Sequence, residues 1–522
     1  MTRSLIAMLL AILCLTSAAS EKRPVSAVDF VASPILSSPR LSPDGKLLLY
    51  RHIGVDWDEN KSVARLRLKD VHTNALLAVP EPESAGESFS AGEWHPDGSG
   101  FALILKRDGD EHRQLYFFDH QSKQLTRLTQ HANDIESFFW SVDGAHIFII
   151  AESAQDPAQA RLQEDEWVIA EYDDARHREI IQLDVATKTT REIVAGDYSV
   201  RRVSLSRDGA HLVYVRVPNH ELNRSHEGDV WVTNIASGEH QRWTQNDFSE
   251  YDPQLASDGK TLAFMATVNA KGAPYYEDKV FVQRGRDATP ERLLGDKAME
   301  AIAFAWDADS SGLFIMANIG VSSQLFHYQL ESGELTQVTD GSHSFRGWHY
   351  DVALDQHVAR HVTADAPGDI VAIDASAKTI TPLTRESRDW AAQFELPEQV
   401  AVSWRGRGRV TIEGLLVYPL GYEKDKGYPL VTIAHGGPRS SSQFGSWNRS
   451  RYVSVLAGLG YAVLLPNHRG GTGYGDDFMR DMYGRYFRNA HHDVMDGIDA
   501  MVARGIADPD RLIAMGWSAG GH

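Results

Sequence analysis

Hydrophobic and polar positions along the 522-residue chain follow three successive regimes. The first is an unbroken apolar run from Leu5 to Leu15. Arg3 precedes it, and Ser17, Ala18, Ala19 and Ser20 lead out of it to Glu21 and Lys22. A positive start, an apolar centre and a small-residue end predict a secretory signal peptide over residues 1–20, cleaved near residues 19–20. The run is well short of the roughly 20 residues needed to span a bilayer. The expectation is therefore a periplasmic or secreted product without stable membrane insertion once the signal is removed.

The second regime is a repeat. A turn of the type Ser-Pro-Asp-Gly precedes a short apolar strand at Ser42–Gly45, and returns at His95–Gly98, Ser141–Gly144, Ser206–Gly209 and Ser257–Gly259. Weaker copies stand at Asp307–Gly312 and Leu354–Gln356. Asp-Gly favours tight turns because glycine accepts positive φ and Asp bonds its own backbone. Behind each turn comes a strand, a polar turn and a strand, as in Leu115–Leu128, Ile180–Val194, Val230–Trp243, Leu325–Val338 and Ile370–Leu383. Seven turns pair with seven hairpins. Such small antiparallel sheets cannot bury both faces alone, but radial packing covers them. Residues 21–395 are thus predicted to form an all-β seven-bladed β-propeller, in preference to an irregular array of β-sandwiches.

One interval, from Gly144 to Gly209, is longer than the others. The excess falls at about residues 151–179 and carries Glu164, Asp165 and Glu166. A solvated acidic loop is the plain reading. The sharper one is a carboxylate clamp for the amine of a substrate.

In the third regime, residues 396–522, strands alternate with helices. Strands are predicted at Val400–Trp404, Val410–Tyr418, Leu430–Ala434, Tyr461–Leu465 and Arg511–Met515. Val494, Ile498, Met501 and Val502 mark one face of a helix. That alternation predicts an α/β sheet, parallel in its later part. Its last strand runs into Gly516-Trp517-Ser518-Ala519-Gly520, a G-x-S-x-G sequence where a strand turns sharply into a helix. This is the context in which Ser518 becomes an exposed nucleophile. Another apolar strand ends in His435-Gly436-Gly437-Pro438, a loop of the type that offers a backbone N–H to an oxyanion in α/β-hydrolases. The second donor would be the N–H of Ala519. The position of His435 in this loop assigns it a structural role rather than that of a base. His491-His492-Asp493 reads as the surface at a helix N-terminus rather than as a metal site.

Charge and composition narrow the field. Lys and Arg number 52 against 71 Asp and Glu, a net charge of −19. That excess of acid argues against a nucleic-acid partner, which calls for a basic surface. The single cysteine, Cys14, lies in the signal segment and excludes a disulfide framework and any Cys-based zinc site. No metal and no cofactor is expected.

Taken together, a repeat domain followed by these motifs resembles the prolyl oligopeptidase family of serine peptidases, nearest its acylaminoacyl-peptidase and dipeptidyl-aminopeptidase branches. The residues that carry the resemblance are His435–Pro438, Asn467–Gly475, Asp508–Arg511 and Gly516–Gly521. It implies a Ser-Asp-His triad that cleaves short peptides through an acyl-enzyme, with Ser518 as nucleophile and the N–H groups of Gly437 and Ala519 as oxyanion hole. It also implies that the propeller covers the site and excludes folded proteins. In α/β-hydrolases the acid and the histidine follow the serine in chain order, whereas here the chain stops at His522. The expectation is a fragment whose α/β-hydrolase domain is incomplete. Two alternatives stand beside peptidase activity: an esterase on the same scaffold, and a non-catalytic propeller that binds proteins. Oligomeric state and the preferred substrate side chain are not legible.

Overall fold

The repeated turn closes on itself. The Ser42 hydroxyl donates to Asp44 Oδ1 at 2.7 Å and accepts the N–H of Leu47 at 2.9 Å, while the N–H of Lys46 donates to Asp44 at 3.1 Å. Gly45 takes the positive φ of +72° that the turn requires. Ser141 with Asp143 and Ser206 with Asp208 repeat the pattern at 2.6 and 2.5 Å. Hydrogen bonds from Ser42 and its neighbours hold the Asp44 carboxyl down at about 2.

In the computed structural model, residues 22–80, 92–153, 177–218, 226–267, 275–437, 439–445, 452–485 and 487–522 are described. Seven four-stranded antiparallel sheets follow one another from Ile35–Leu41 to Thr379–Pro382, each built from consecutive strands. They are the seven blades. In each, the innermost strand precedes the repeated turn or its weaker copy. The sequence pattern passes over these strands because bulges interrupt their alternation. Ser38, Arg202, Asp252 and Gly347 take positive φ of 53°, 53°, 48° and 60° at such breaks.

A separate apolar cluster fills the gap between each pair of adjacent blades. Burying each large side chain there is worth about 1.5–3 kcal/mol. The ring closes in the same way. Leu36, Leu48 and Tyr50 of the first blade lie against Val358 and Ile370 of the seventh, and among the described residues no strand is shared between them. Lys69 Nζ adds a bond of 2.8 Å to the Leu383 carbonyl across this closure.

The C-terminal part is a five-stranded sheet of β1 (Gln399–Arg405), β2 (Thr411–Val417), β3 (Tyr428–Ala434), β4 (Ala462–Asn467) and β5 (Ala507–Gly516) in the order β1-β2-β4-β3-β5. The first two pairings are antiparallel, and β4, β3 and β5 run parallel. Alternate residues face opposite sides. Ile412, Leu416, Leu430 and Leu464 meet helix α2 (Arg488–Ala503) through Ile498 and Met501. Leu415, Val417, Val431 and Val463 meet helix α1 (Val453–Gly458) through Val453 and Ala457. Before the first blade, Arg23–Pro24 pairs in parallel with Phe394–Glu395, so the start of the described chain lies on the linker into the sheet. Among the described residues, no helix is long and apolar enough to cross a membrane.

Candidate active site

Strand β5 delivers Ser518. Trp517 is extended, and Ser518 then takes φ of +52°, opening a short 3₁₀ turn over Ser518–Gly521 where the sequence predicted a helix. Positive φ is uncommon and costly for a residue with a Cβ. The neighbours must be small for the turn to close. A Cβ on Gly516 would sit 1.8 Å from the Gly520 carbonyl oxygen, and one on Gly520 would sit 2.3 Å from that of Ala434. Only glycine fits at either place. The serine is left exposed at the tip.

Strand β3 brings the second loop to the same place. It pairs in parallel with β5, with Ala434 opposite Gly516, so the residues that follow each strand emerge side by side. A Cβ on Gly436 would lie 3.3 Å from Ser518 Cβ. Gly437 takes φ of +132°. His435 is buried, its Nδ1 lies 3.0 Å from the Gly436 carbonyl, and its ring stacks on His468 at 4.4 Å. His468 is itself buried, which pushes its titration down. Two stacked, buried imidazoles form the floor of the loop. His522 is exposed and stacks on Phe487 at 5.1 Å.

Several residues that build the site were given another role, or none, in the sequence. Asp493 is fully buried rather than part of a surface: it accepts from Arg469 Nη2 at 2.6 Å, Arg469 Nε at 2.8 Å and the Arg469 N–H at 3.0 Å. The helix turns this carboxylate inward, towards an arginine 24 residues upstream. The Gly470–Gly475 stretch reaches the propeller. Glu277, also fully buried, accepts the N–H groups of Gly473, Tyr474 and Gly475 at 2.7, 3.1 and 3.0 Å. Lys279 Nζ neutralises it at 3.0 Å. Arg439, just beyond the oxyanion loop, pairs with Asp278 and lies 3.5 Å from Glu300 of the next blade. Desolvation lowers the Arg439 guanidinium, but these acids outweigh it and raise it above its ordinary value. Motif residues thus serve both the sheet and its seam with the propeller. Their partners lie too far away in sequence to be seen there.

Glu164, Asp165 and Glu166 lie outside the described residues. The strands that flank them end at Glu152 and begin at Arg178. Among the described residues, no group of His, Cys, Asp and Glu is placed to hold a metal ion.

A serine on a glycine-flanked elbow, between the last strands of an α/β sheet joined to a seven-bladed propeller, defines a propeller-bearing serine hydrolase. Residues 447–522 match the model of the prolyl oligopeptidase family. The chain is 23% identical to dipeptidyl-peptidase 5 of Porphyromonas gingivalis, covering 94% of this chain and 75% of that protein. It is 22% identical to the peptidase YuxL of Bacillus subtilis, covering 96% and 79%. Among solved structures, an acylaminoacyl peptidase of Pyrococcus horikoshii shares the fold, with a TM-score of 0.75 at 18% identity over 95% of this chain and 75% of that one. The chain is a serine peptidase whose residues 447–522 match the prolyl oligopeptidase family.

Proposed function

We propose that Ser518 attacks the carbonyl of a short peptide and forms an acyl-enzyme. The carrying observation is the elbow: positive φ at an exposed serine, with the Gly436 backbone packed against it. In this reading the serine proton passes to a histidine base, and the tetrahedral oxyanion is held by the N–H groups of Gly437 and Ala519. Each such donor contributes about 3–4 kcal/mol in the transition state. The proton then passes to the departing amine, and water releases the acyl group.

Acid and base follow the nucleophile in α/β-hydrolases. We place them in chain beyond His522, on strands that pair with the outer edge of β5. Two observations support this: Leu512, Ile513 and Met515 on that strand are 43%, 43% and 40% exposed, and the chain spans about three quarters of its relatives' length. An unpaired apolar edge is a pairing site.

Export, with removal of residues 1–20, belongs to the same proposal. So does recognition of a free substrate amine by Glu164, Asp165 and Glu166. Equal cleavage of N-acylated and free peptides would remove the reason for assigning that role.

The decisive experiment expresses the protein with its downstream coding sequence and treats it with a fluorophosphonate probe. Labelling at Ser518 together with amide hydrolysis is expected, and both should vanish in Ser518→Ala. Ester turnover without amide turnover would favour an esterase. A folded protein with an unreactive Ser518 would favour a binding module. N-terminal sequencing of the mature protein tests export, with a start near residue 20 expected.

A further inference from the structure

The chain is rich in acid, yet two arginines of the seventh blade stand side by side without one. Arg346 on the inner strand His343–Asp351 and Arg360 on the neighbouring strand Gln356–Thr363 are direct cross-strand partners. Like charges placed opposite one another on a ladder repel. Two inner-strand arginines of other blades are matched: Arg40 with Glu93 at 3.0 Å, and Arg202 with Asp252 at 3.5 Å. No such carboxylate acts on Arg346 or Arg360 among the described residues. Arg346 donates to the Phe345 carbonyl at 3.0 Å and to Gln443 Oε1 at 2.8 Å. Arg360 Nε is shielded from solvent and has no hydrogen-bond partner among the described residues. Burial lowers both groups, and the charge of Arg346 lowers Arg360 further, to about 10. Arg346 is nevertheless exposed to solvent.

The backbone is shaped around the pair. The bulge after Arg346 runs through Gly347 at φ of +60°. Gly368 makes room for the Arg360 stem, because a Cβ there would come within 2.8 Å of Arg360 Cγ. The pair also lies on the seam with the catalytic part of the chain. Gln443 belongs to the segment that leaves the oxyanion loop, and its Nε2 donates to Asn318 of the sixth blade at 2.6 Å.

We infer that Arg346 and Arg360 form a subsite for a carboxylate of a bound peptide, entered from the seam between propeller and sheet. A guanidinium presents a planar fork that matches a carboxylate. One anion held between two such forks relieves their repulsion and satisfies donors that the protein leaves open. This assignment deepens the peptidase reading, since the peptide is the substrate, but its test does not depend on turnover.

The test is calorimetric titration of the protein, expressed with its downstream coding sequence and carrying Ser518→Ala, with three probes: tetra-alanine as the free acid, tetra-alanine amide, and acetyl-Ala-Ala-Asp-Ala amide. At least one acidic probe should bind ten-fold or more tightly than the neutral amide, and the arm that does so tells a C-terminal from a side-chain carboxylate. Arg360→Gln should abolish the preference while leaving thermal unfolding at or above that of the parent, because a repulsion is removed. Arg360→Lys, which keeps the charge and loses the fork, should retain part of it, and serves as the second variant if Arg360→Gln does not fold. Equal binding of all three probes, binding of none, or a preference that survives in a folded Arg360→Gln protein would overturn the assignment. The fluorophosphonate experiment on Ser518 stands or falls separately.

Discussion

Two serine-and-glycine turns in this molecule show opposite uses of the same residues. In the propeller turn Ser42–Gly45, glycine carries the positive φ and the serine hydroxyl is consumed in two hydrogen bonds. In the elbow at Ser518, the serine carries the positive φ and the glycines stand on either side of it. The first turn is relaxed and local, so each of its bonds falls within five residues. The second is held by Gly520 against Ala434 and by Gly436 against Trp517, residues from a different strand. Strain persists only where surrounding structure over-determines it. A chain can therefore repeat the first turn around the ring, while the second needs a sheet already built behind it.

If long-range contacts carry the site and local ones the repeat, substitutions should sort accordingly. The largest effect is expected at Glu277→Ala, which removes the nearest carboxylate from buried Lys279 and leaves three backbone N–H groups unpaired. A loss of about 3–5 kcal/mol is expected for breaking such a buried pair, read from urea unfolding. A loss under 1 kcal/mol would show that the seam between propeller and sheet contributes little.

Next comes acid. Burial lowers His343, His357 and His361 of the seventh blade to about 4. A folded value below the ordinary ~6.5 means that the neutral form is favoured in the fold. The associated stability is complete above about pH 6.5 and is lost as pH falls through about 4. His357 stacks on Tyr350 at 4.5 Å and meets Phe314 of the sixth blade edge-on at 4.3 Å. His357→Phe should therefore flatten the fall in urea midpoint between pH 6.5 and 4, by about 3 kcal/mol at the acid end. An unchanged slope would place acid sensitivity elsewhere.

Gly516→Ala should follow, at about 1–3 kcal/mol, with loss of Ser518 labelling in the protein expressed with its downstream coding sequence. Retained labelling would mean that the elbow has more room than its contacts indicate. The smallest effects belong to the repeat. Gly45→Ala forces a Cβ into a positive-φ position with its nearest neighbour 3.8 Å away, a cost of about 1–2 kcal/mol. Ser42→Ala should cost about 1 kcal/mol. A larger loss from either, measured by the same unfolding, would break the distinction between the two turns.

Legibility followed the same division. The Asp-Gly turns, the outer hairpins and the helix face of Ile498 and Met501 were readable because their determinants lie within a few residues of one another. The inner strands were not, since bulges at Ser38, Arg202, Asp252 and Gly347 erase their alternation. Ser518 was readable because the elbow needs glycine at fixed offsets. Glu277 carried no signal, for the backbone N–H groups it binds lie almost 200 residues on. Asp493 was misread as surface because its arginine stands on another element.

Sequence alone determined the seven-fold repeat, the change to an α/β sheet near residue 396 and the residue at the elbow. Each rests on periodicity or on steric demands met within a single turn of chain. Only the tertiary structure decided that the glycine-rich Gly470–Gly475 segment clasps a propeller carboxylate, that His435 is a stacked floor, and that Arg346 faces Arg360. These depend on which buried charges and backbone groups meet once the core is packed. A polar group removed from water takes its partner wherever the fold brings one within hydrogen-bond reach.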